Sequence, residues 1–379
     1  MMRGPSARPV VIAAGGTGGH LFPAEALAAE LVARGERIAL MTDTRSAAYD
    51  SPAFGNAERF VLKGSGLAGR GAKAAAKGAL ALAAGTLEAR RILSRLDAAA
   101  VVGFGGYPSV PPIIAARTLP RGHRPATAVH EQNAVLGRAN RLLSKGADLL
   151  ALSVADTSRV PRDAKVAVVG NPVRPALAAL AGQDYAPPAE DGAMRILVLG
   201  GSLGARVFAD VVPAAVAALP EALRGRLVVT QQTRAEDLPR VETAYREAGV
   251  PADLAPFFGD IATRLAMAHI VIARAGASTV AELACAGRPS ILVPLPQAID
   301  DHQTANARSL AGVGAAWLMP QPAFTADALA RHLDVVFSNP PVLARAAAAA
   351  GREAHPEAAR RLADMVQNLI RAAAPLESH

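Results

Sequence analysis

The residues best suited to chemistry fall in short polar clusters, most of them rich in glycine. Gly15-Gly16-Thr17-Gly18-Gly19-His20 follows an apolar run at residues 9–14 (PVVIAA) and precedes a helical pattern over residues 23–34. Such a loop offers free backbone N–H groups at a helix N-terminus, where the helix dipole favours an anion or developing negative charge. Its glycines let a phosphate or a second backbone come close. His20 adds a group that titrates near pH ~6.5 when unperturbed. The spacing is neither GxGxxG nor a P-loop, and a plain strand-to-helix turn is the competing reading.

Further clusters follow other apolar runs. Gly103-Phe104-Gly105-Gly106-Tyr107-Pro108-Ser109 and His130-Glu131-Gln132-Asn133 put polar groups at two more strand ends, the latter open to a simpler reading as a turn cluster. Gly200-Gly201-Ser202 repeats the anion-loop pattern. Arg274-Ala275-Gly276-Ala277-Ser278-Thr279-Val280-Ala281-Glu282 brings small and hydroxyl residues to a strand-to-helix turn, with Glu282 in about the first turn of the helix. A carboxylate there either caps the helix or accepts the two hydroxyls of a ribose. In Asp300-Asp301-His302-Gln303-Thr304-Ala305-Asn306 the paired aspartates would suit a divalent cation, but nothing nearby supplies further ligands. One cysteine, Cys285, and eight scattered histidines give no cluster spaced for zinc. No metal and no cofactor are expected.

These clusters need strands to present them. Short apolar runs at residues 38–41, 100–103, 126–130 and 149–152, and again at 195–200, 227–231, 270–273 and 290–293, alternate with longer helical segments. Alternation of this kind predicts an α/β fold with parallel sheets covered by helices, in which ligands bind at the carboxyl ends of the strands. The strand–glycine turn–helix order occurs at both residue 10 and residue 195, so the chain reads as two Rossmann-like halves facing across a cleft. We place an N-terminal domain at 1–175, a polar, Pro-rich linker at 176–193, a second domain at 194–355, and a C-terminal helix and tail at 356–379, where Leu362, Met365, Val366, Leu369 and Ile370 recur at helical spacing.

Composition narrows the function. The chain has 379 residues, 51% hydrophobic and 19% charged, enough for a large core. The formal net charge of +8 favours anionic partners, yet at 4% aromatic residues a stacking surface for nucleic acid is not expected. No stretch reaches the roughly 18–20 apolar residues of a spanning helix, and residues 1–9 lack a signal peptide's apolar region. A reducing, intracellular setting is expected. Seven basic residues (Lys63, Arg70, Lys73, Lys77, Arg90, Arg91, Arg95) against one acid, Glu88, lie between Phe60 and Arg95. On a helix from 72 to 96, at about 100° per residue, Lys73, Lys77, Arg91 and Arg95 share a face with Leu80, Ala84 and Leu87. That stripe would suit an anionic membrane surface, or simply be a solvated face.

The ordered motifs Gly-Gly-Thr-Gly-Gly-His, Gly-Gly-Tyr-Pro-Ser, His-Glu-Gln-Asn, Gly-Asn-Pro-Val-Arg, Gly-Gly-Ser-x-Gly-Ala, Arg-x-Gly-Ala-x-Thr-x-x-Glu and Asp-Asp-His-Gln-x-x-Asn-Ala resemble the MurG family of bacterial N-acetylglucosaminyltransferases, from Val10 to about Ala307. The resemblance implies the GT-B fold and an inverting transfer of GlcNAc from UDP-GlcNAc to the MurNAc 4-hydroxyl of undecaprenyl-pyrophosphoryl-MurNAc-pentapeptide (lipid I), giving lipid II and UDP in peptidoglycan synthesis. It further implies a peripheral enzyme on the cytoplasmic face of the cell membrane. Its expected partners are UDP-GlcNAc, lipid I, the anionic membrane surface and other cell-wall synthesis proteins, with no nucleic acid.

By the same resemblance Glu282 would bind the ribose hydroxyls, Phe258 and its neighbours would line the uracil, and Arg174, Ser202, Ala277, Ser278 and Thr279 would border the uridine and its pyrophosphate. Gln303, Asn306 and Asn133 would read the GlcNAc, with Thr17, Gly18 and Gly19 also on the donor. Gly16, Gly105, Gly106, Tyr107 and Asn140 would face the acceptor, and His20, with Glu131 as its rival, would be the catalytic base. Leu203, Ala209 and His302 depart from the family pattern in the donor half. Another UDP-sugar enzyme of the same architecture, a 2-epimerase-like protein or a small-molecule glycosyltransferase, is the alternative.

Overall fold

The computed structural model describes residues 8–16, 18–49, 51–62, 72–201 and 204–373, with the backbone alone for 72–75. Two compact units emerge, one formed by residues 1–174 with 357–379, the other by residues 175–356.

The first unit carries seven strands: β1 (Val10–Ala13), β2 (Ile38–Thr42), β3 (Glu58–Val61), β4 (Ala100–Gly103), β5 (Ala126–Glu131), β6 (Leu149–Leu152) and β7 (Val166–Val168). Its helices are α1 (Gly18–Ala33), α2 (Ala72–Leu96), α3 (Gly106–Thr118) and α4 (Arg138–Ser144). All strand pairs are parallel, in the order β3-β2-β1-β4-β5-β6-β7. The β-branched run VVIA of β1 pairs on both sides, Val10 opposite Ile38 and opposite Ala100, and is wholly buried. Side chains alternate across the sheet. Val10 and Ile12 therefore pack beneath α1, while Val11 and Ala13 join the core under α2 and α3.

The second unit has β8 (Met194–Leu199), β9 (Leu227–Gln232), β10 (Ala252–Ala255), β11 (Ile270–Ala273), β12 (Ser290–Leu292) and β13 (Ala316–Leu318), again all parallel, in the order β10-β9-β8-β11-β12-β13. Around them run α5 (Pro175–Ala178), α6 (Arg206–Ala217), α7 (Glu221–Arg224), α8 (Leu238–Glu247), α9 (Ile261–Met267), α10 (Ala277–Ala286), α11 (His302–Gly312), α12 (Ala326–Phe337) and α13 (Pro340–Arg352). Residues 183–192, read from composition as linker, pack onto this unit. Tyr185 donates its hydroxyl to the His269 carbonyl at 2.9 Å, and Arg226 reaches the Ala189 carbonyl at 2.7 Å.

The last helix, α14 (Ala358–Ala373), returns to the first unit. Leu362, Ala363 and Val366 are fully buried in the core beneath α1, and Arg34 of the α1 C-terminal turn binds Asp364 at 2.7 Å and Gln367 at 2.8 Å. Burying the Leu362 and Val366 side chains contributes roughly 1.5–3 kcal/mol each, so α14 is a part of the N-terminal fold rather than a tail on the second domain.

Each sheet places its earliest strand centrally, with the order reversing between β1 and β4 and between β8 and β11. At such switch points the loops leaving the carboxyl ends diverge and leave a crevice for ligand. The glycine clusters lie on these loops.

Candidate active site

In the first unit, the chain leaves β1 and turns through Gly15 and Gly16 directly into α1, which begins at Gly18, inside the glycine loop rather than at Pro23. A Cβ on Gly15 would lie 3.0 Å from Asp43 Oδ1, Thr42 Oγ1 and Pro108 Cγ, and Gly16 has φ +90°, so the turn demands glycine at both positions. The Gly16 N–H donates to Ser46 Oγ at 2.8 Å, tying the loop to the end of β2. Gly19 and His20 follow in the first turn of α1. Thr17 lies outside the described residues.

The loop after β4 wraps the His20 ring. Gly105 (φ +89°) and Gly106 (φ +68°) take left-handed backbone. A Cβ on Gly105 would come within 3.3 Å of both His20 Cε1 and Asn140 Nδ2, and one on Gly106 within 3.6 Å of His20 Nε2. Tyr107 turns away from this ring. Its hydroxyl is buried without a hydrogen-bond partner among the described residues, on the α2 side, 3.7 Å from where a Cβ of Gly85 would sit. Burial pushes its pKa up.

The end of β5 supplies the third group. Glu131 is 2% exposed, and both of its carboxylate oxygens are engaged. Oε1 accepts from the backbone and side-chain amides of Asn133, each at 3.0 Å, and Oε2 accepts from Gly137 N at 2.9 Å and Asn140 Nδ2 at 2.8 Å. The carboxylate therefore ties β5 to the start of α4. Beside it, His130 is fully buried, and desolvation pushes its imidazole down to about 4, so it is neutral at pH 7. His20 Nδ1 lies 3.1 Å from Gln132 Oε1, Gln132 Nε2 lies 3.0 Å from His130 Nδ1, and His130 Nε2 lies 3.0 Å from the Gly170 carbonyl. Arg174 stacks on the ring of Phe22 in α1, 4.4 Å from its centroid, and Phe22 in turn covers Gly18.

In the second unit, the turn after β8 is as tight. A Cβ on Gly200 would fall 2.6 Å from Ala205 N, and Gly201 and Gly204 have φ +81° and +68°. Gln232, at the end of β9, holds this turn: its Oε1 accepts from Gly200 N and its Nε2 donates to the Gly201 and Pro256 carbonyls, all at 3.1 Å. Ser202 and Leu203 lie outside the described residues. Ala209 is buried on α6, its carbonyl accepting from Arg240 at 3.2 Å.

After β11 the chain passes Arg274 and enters α10 at Ala277, with Ser278 and Thr279 completing the first three helical positions. Glu282 is the sixth residue of that helix, in its second turn rather than its first, and is 8% exposed. α11 closes the rim. Asn306 donates to the Ala275 carbonyl at 3.1 Å, and Gln303 accepts from Leu295 N at 2.9 Å. Asp300 and Asp301 both take left-handed backbone (φ 56° and 53°), and His302 reaches back to the Ile299 carbonyl at 2.7 Å. Phe258 is buried, with the Arg264 guanidinium 4.0 Å from its ring centroid, whereas Phe257 is 71% exposed. The Phe258 ring is therefore covered, while the Phe257 ring faces solvent.

Each switch point therefore gathers its own set: His20, Gly105, Gly106, Glu131, Asn133 and Asn140 in the first unit, and the 200–204 turn with the α10 and α11 ends in the second. Sequence reasoning missed Ser46 and Gln232, covered Phe257 only as a neighbour of Phe258, and gave Gln132 no role. Their signal was position, at or just beyond a strand end.

On α2, Lys77 and Arg91 are exposed, as are Leu80 (72%) and Leu87 (58%). Arg95 lies 5.2 Å above the Phe60 ring, and Lys73 belongs to the helix with its side chain outside the described residues. A cavity of about 640 Å³ beside this stripe is lined by Arg90, Arg91, Arg95 and His123 among others. Among the described residues no helix is long and apolar enough to cross a membrane.

Residues 10–151 match the glycosyltransferase family 28 N-terminal domain, and residues 195–362 match the glycosyltransferase family 28 C-terminal domain. A protein of Granulibacter bethesdensis named UDP-N-acetylglucosamine--N-acetylmuramyl-(pentapeptide) pyrophosphoryl-undecaprenol N-acetylglucosamine transferase is 57% identical over 99% of this chain and 97% of its own length. A Gluconobacter oxydans protein of the same name is 52% identical over 96% and 99%. The crystal structure of Acinetobacter baumannii MurG superposes with a TM-score of 0.76 at 29% identity, covering 95% of this chain and 99% of that one. With two all-parallel sheets, the GT-B fold of the matched structure, and relatives matched along nearly their whole length, the chain belongs to the MurG family of N-acetylglucosamine transferases, built from the two domains of glycosyltransferase family 28.

Proposed function

We propose that the chain transfers GlcNAc from UDP-GlcNAc to the MurNAc 4-hydroxyl of lipid I with inversion, releasing UDP. The observation that carries this reading is the 57% identity with a transferase of that name over nearly all of both chains. As the acceptor O4 bonds to the anomeric carbon, the bond to the UDP oxygen breaks and its electron pair leaves with UDP, while the O4 proton passes to a base. His20 is that base. Glu131 is spent on four donors, which supports His20 over its rival.

The donor is held by the second unit. Glu282 accepts the ribose hydroxyls, Phe257 and the Phe258 backbone receive the uracil, and the N-terminus of α10 with Ser278, Thr279 and Ser202 meets the pyrophosphate, where helix and loop amides stabilise the leaving charge without a metal. Gln303 and Asn306 read the sugar. The acceptor meets Gly16, Gly105, Gly106 and Asn140. Tyr107, turned toward α2, acts on it through the shape of the 105–107 loop.

The lipid tail of such an acceptor calls for work at a bilayer surface. Exposed Leu80 and Leu87 with Lys77, Arg91 and Arg95 support α2 as the face that docks on anionic lipid at the cytoplasmic side. Release of UDP from UDP-GlcNAc, followed with and without a soluble lipid I analogue, tests the reaction. Release should require the acceptor, and His20→Ala should lower kcat by about 10²–10⁴-fold with donor affinity unchanged. Comparable release without acceptor would point to the epimerase-like alternative.

A further inference from the structure

The contacts of His130 and Gln132 dictate where the proton of neutral His20 resides. A backbone carbonyl only accepts, so His130 Nε2, 3.0 Å from the Gly170 carbonyl, must carry the hydrogen. His130 Nδ1 is then a lone pair, and it accepts from Gln132 Nε2 at 3.0 Å. The same amide nitrogen lies 3.0 Å from the His130 carbonyl, a second partner that can only accept. Two acceptors thus orient the Gln132 amide independently, and its Oε1 faces His20 Nδ1 at 3.1 Å. An amide oxygen only accepts, so His20 Nδ1 donates. The lone pair of neutral His20 is left on Nε2, on the Gly106 side of the ring, where it makes no hydrogen bond to a described residue.

We propose that Gln132 is a positioning residue for glycosyl transfer, holding His20 in the tautomer whose Nε2 can take a proton. This rests on His20 being the base. The relay starts from the Gly170 carbonyl, and burial keeps His130 neutral so that its Nδ1 remains an acceptor. Without an acceptor at residue 132, His20 is free to carry its hydrogen on Nε2. A donor there cannot receive the O4 proton, and loss of the correct tautomer is costly wherever a histidine serves as base.

The test uses the full chain with ¹⁵N-labelled histidine, at about pH 8.5 where an ordinary imidazole is neutral. Long-range ¹H–¹⁵N spectra, with the His20 signals identified by their loss in His20→Ala, should show Nδ1 protonated and Nε2 of imine type. In Gln132→Met the pattern should invert or mix. With UDP-GlcNAc and a soluble lipid I analogue, kcat should fall by roughly 10–100-fold while both KM values stay within about threefold. Gln132→Glu, which keeps an acceptor facing Nδ1 but sets its second oxygen against the His130 carbonyl, should keep the wild-type His20 tautomer with kcat between that of wild type and that of Gln132→Met. A wild-type His20 protonated on Nε2, or a tautomer unmoved in Gln132→Met, overturns the relay, and the wild-type spectrum decides this even if the Met variant is unstable. A tautomer that moves while kcat holds overturns the catalytic use of the relay and, separately, His20 as the base.

Discussion

Replacing Glu131 separates a structural carboxylate from a chemical one. Its oxygens accept four hydrogen bonds at 2.8–3.0 Å in a site 2% exposed, three from groups that cannot swing toward water (the Asn133 and Gly137 backbone amides and the buried Asn140 side chain) and one from the half-buried Asn133 side chain, which can. Hydrogen bonds to a charged group contribute about 1.5–3 kcal/mol each, and an orphaned buried donor costs about 1–3 kcal/mol. Glu131→Gln keeps the shape and one acceptor oxygen but turns an NH₂ group toward the donors on one side. With one backbone amide left facing a donor and one side-chain amide able to rotate, the local loss comes to about 3 kcal/mol. Each 1.4 kcal/mol is about tenfold, so the Asn133 and Gly137 amides and the α4 segment should exchange with deuterium about 100-fold faster, read by mass spectrometry on peptides spanning residues 126–144. Glu131→Ala should exceed this. If exchange in Glu131→Gln stays within about threefold of wild type while kcat collapses, the carboxylate acts on substrate and the structural argument is wrong.

Acid should weaken the first unit through His130. Its imidazole takes a proton near its ordinary 6.5 when unfolded but only near 4 when folded, so stability is full above pH 6.5 and falls as pH drops through 4, by about 3 kcal/mol in all. The stability difference between wild type and His130→Asn should therefore change by that amount between pH 7 and pH 4 in urea titrations, and a flat difference would sink the assignment. At the α2 face, Lys77→Glu with Arg91→Glu should weaken flotation with anionic vesicles by about thirtyfold or more, since each nearby basic charge is worth about 1 kcal/mol. Equal binding of the native chain to neutral vesicles would remove the electrostatic part.

The strands legible in the sequence are the central ones. Runs at residues 100–103, 149–152 and 270–273 coincide with β4, β6 and β11, because strands buried on both faces read as continuous apolar stretches. The strands that went unread, β3, β7, β10 and β13, are the four sheet edges. Glu58, Arg59, Val166, Val168, Ala252 and Asp253 alternate exposure or face solvent there, and three or four such residues carry no periodic signal. Polar composition likewise suggested a linker at 183–192, although Tyr185 and two carbonyls anchor that stretch through contacts no local pattern encodes.

At the site, residue type and position after a strand were enough to single out the glycine turns, His20, Glu131 and Glu282. Their order along the chain carries the family, because a loop that must turn tightly beside an anion tolerates few side chains. Partnership was beyond the reach of sequence. Whether Glu131 is a base or a brace depends on four donors drawn from residues 133, 137 and 140, and the state of His20 depends on a carbonyl at Gly170, all converging only when β5, α1 and the end of the first sheet are packed together. Spacing says which groups are available. Hydrogen-bond direction, set by which neighbour can only accept, decides what each of them can do.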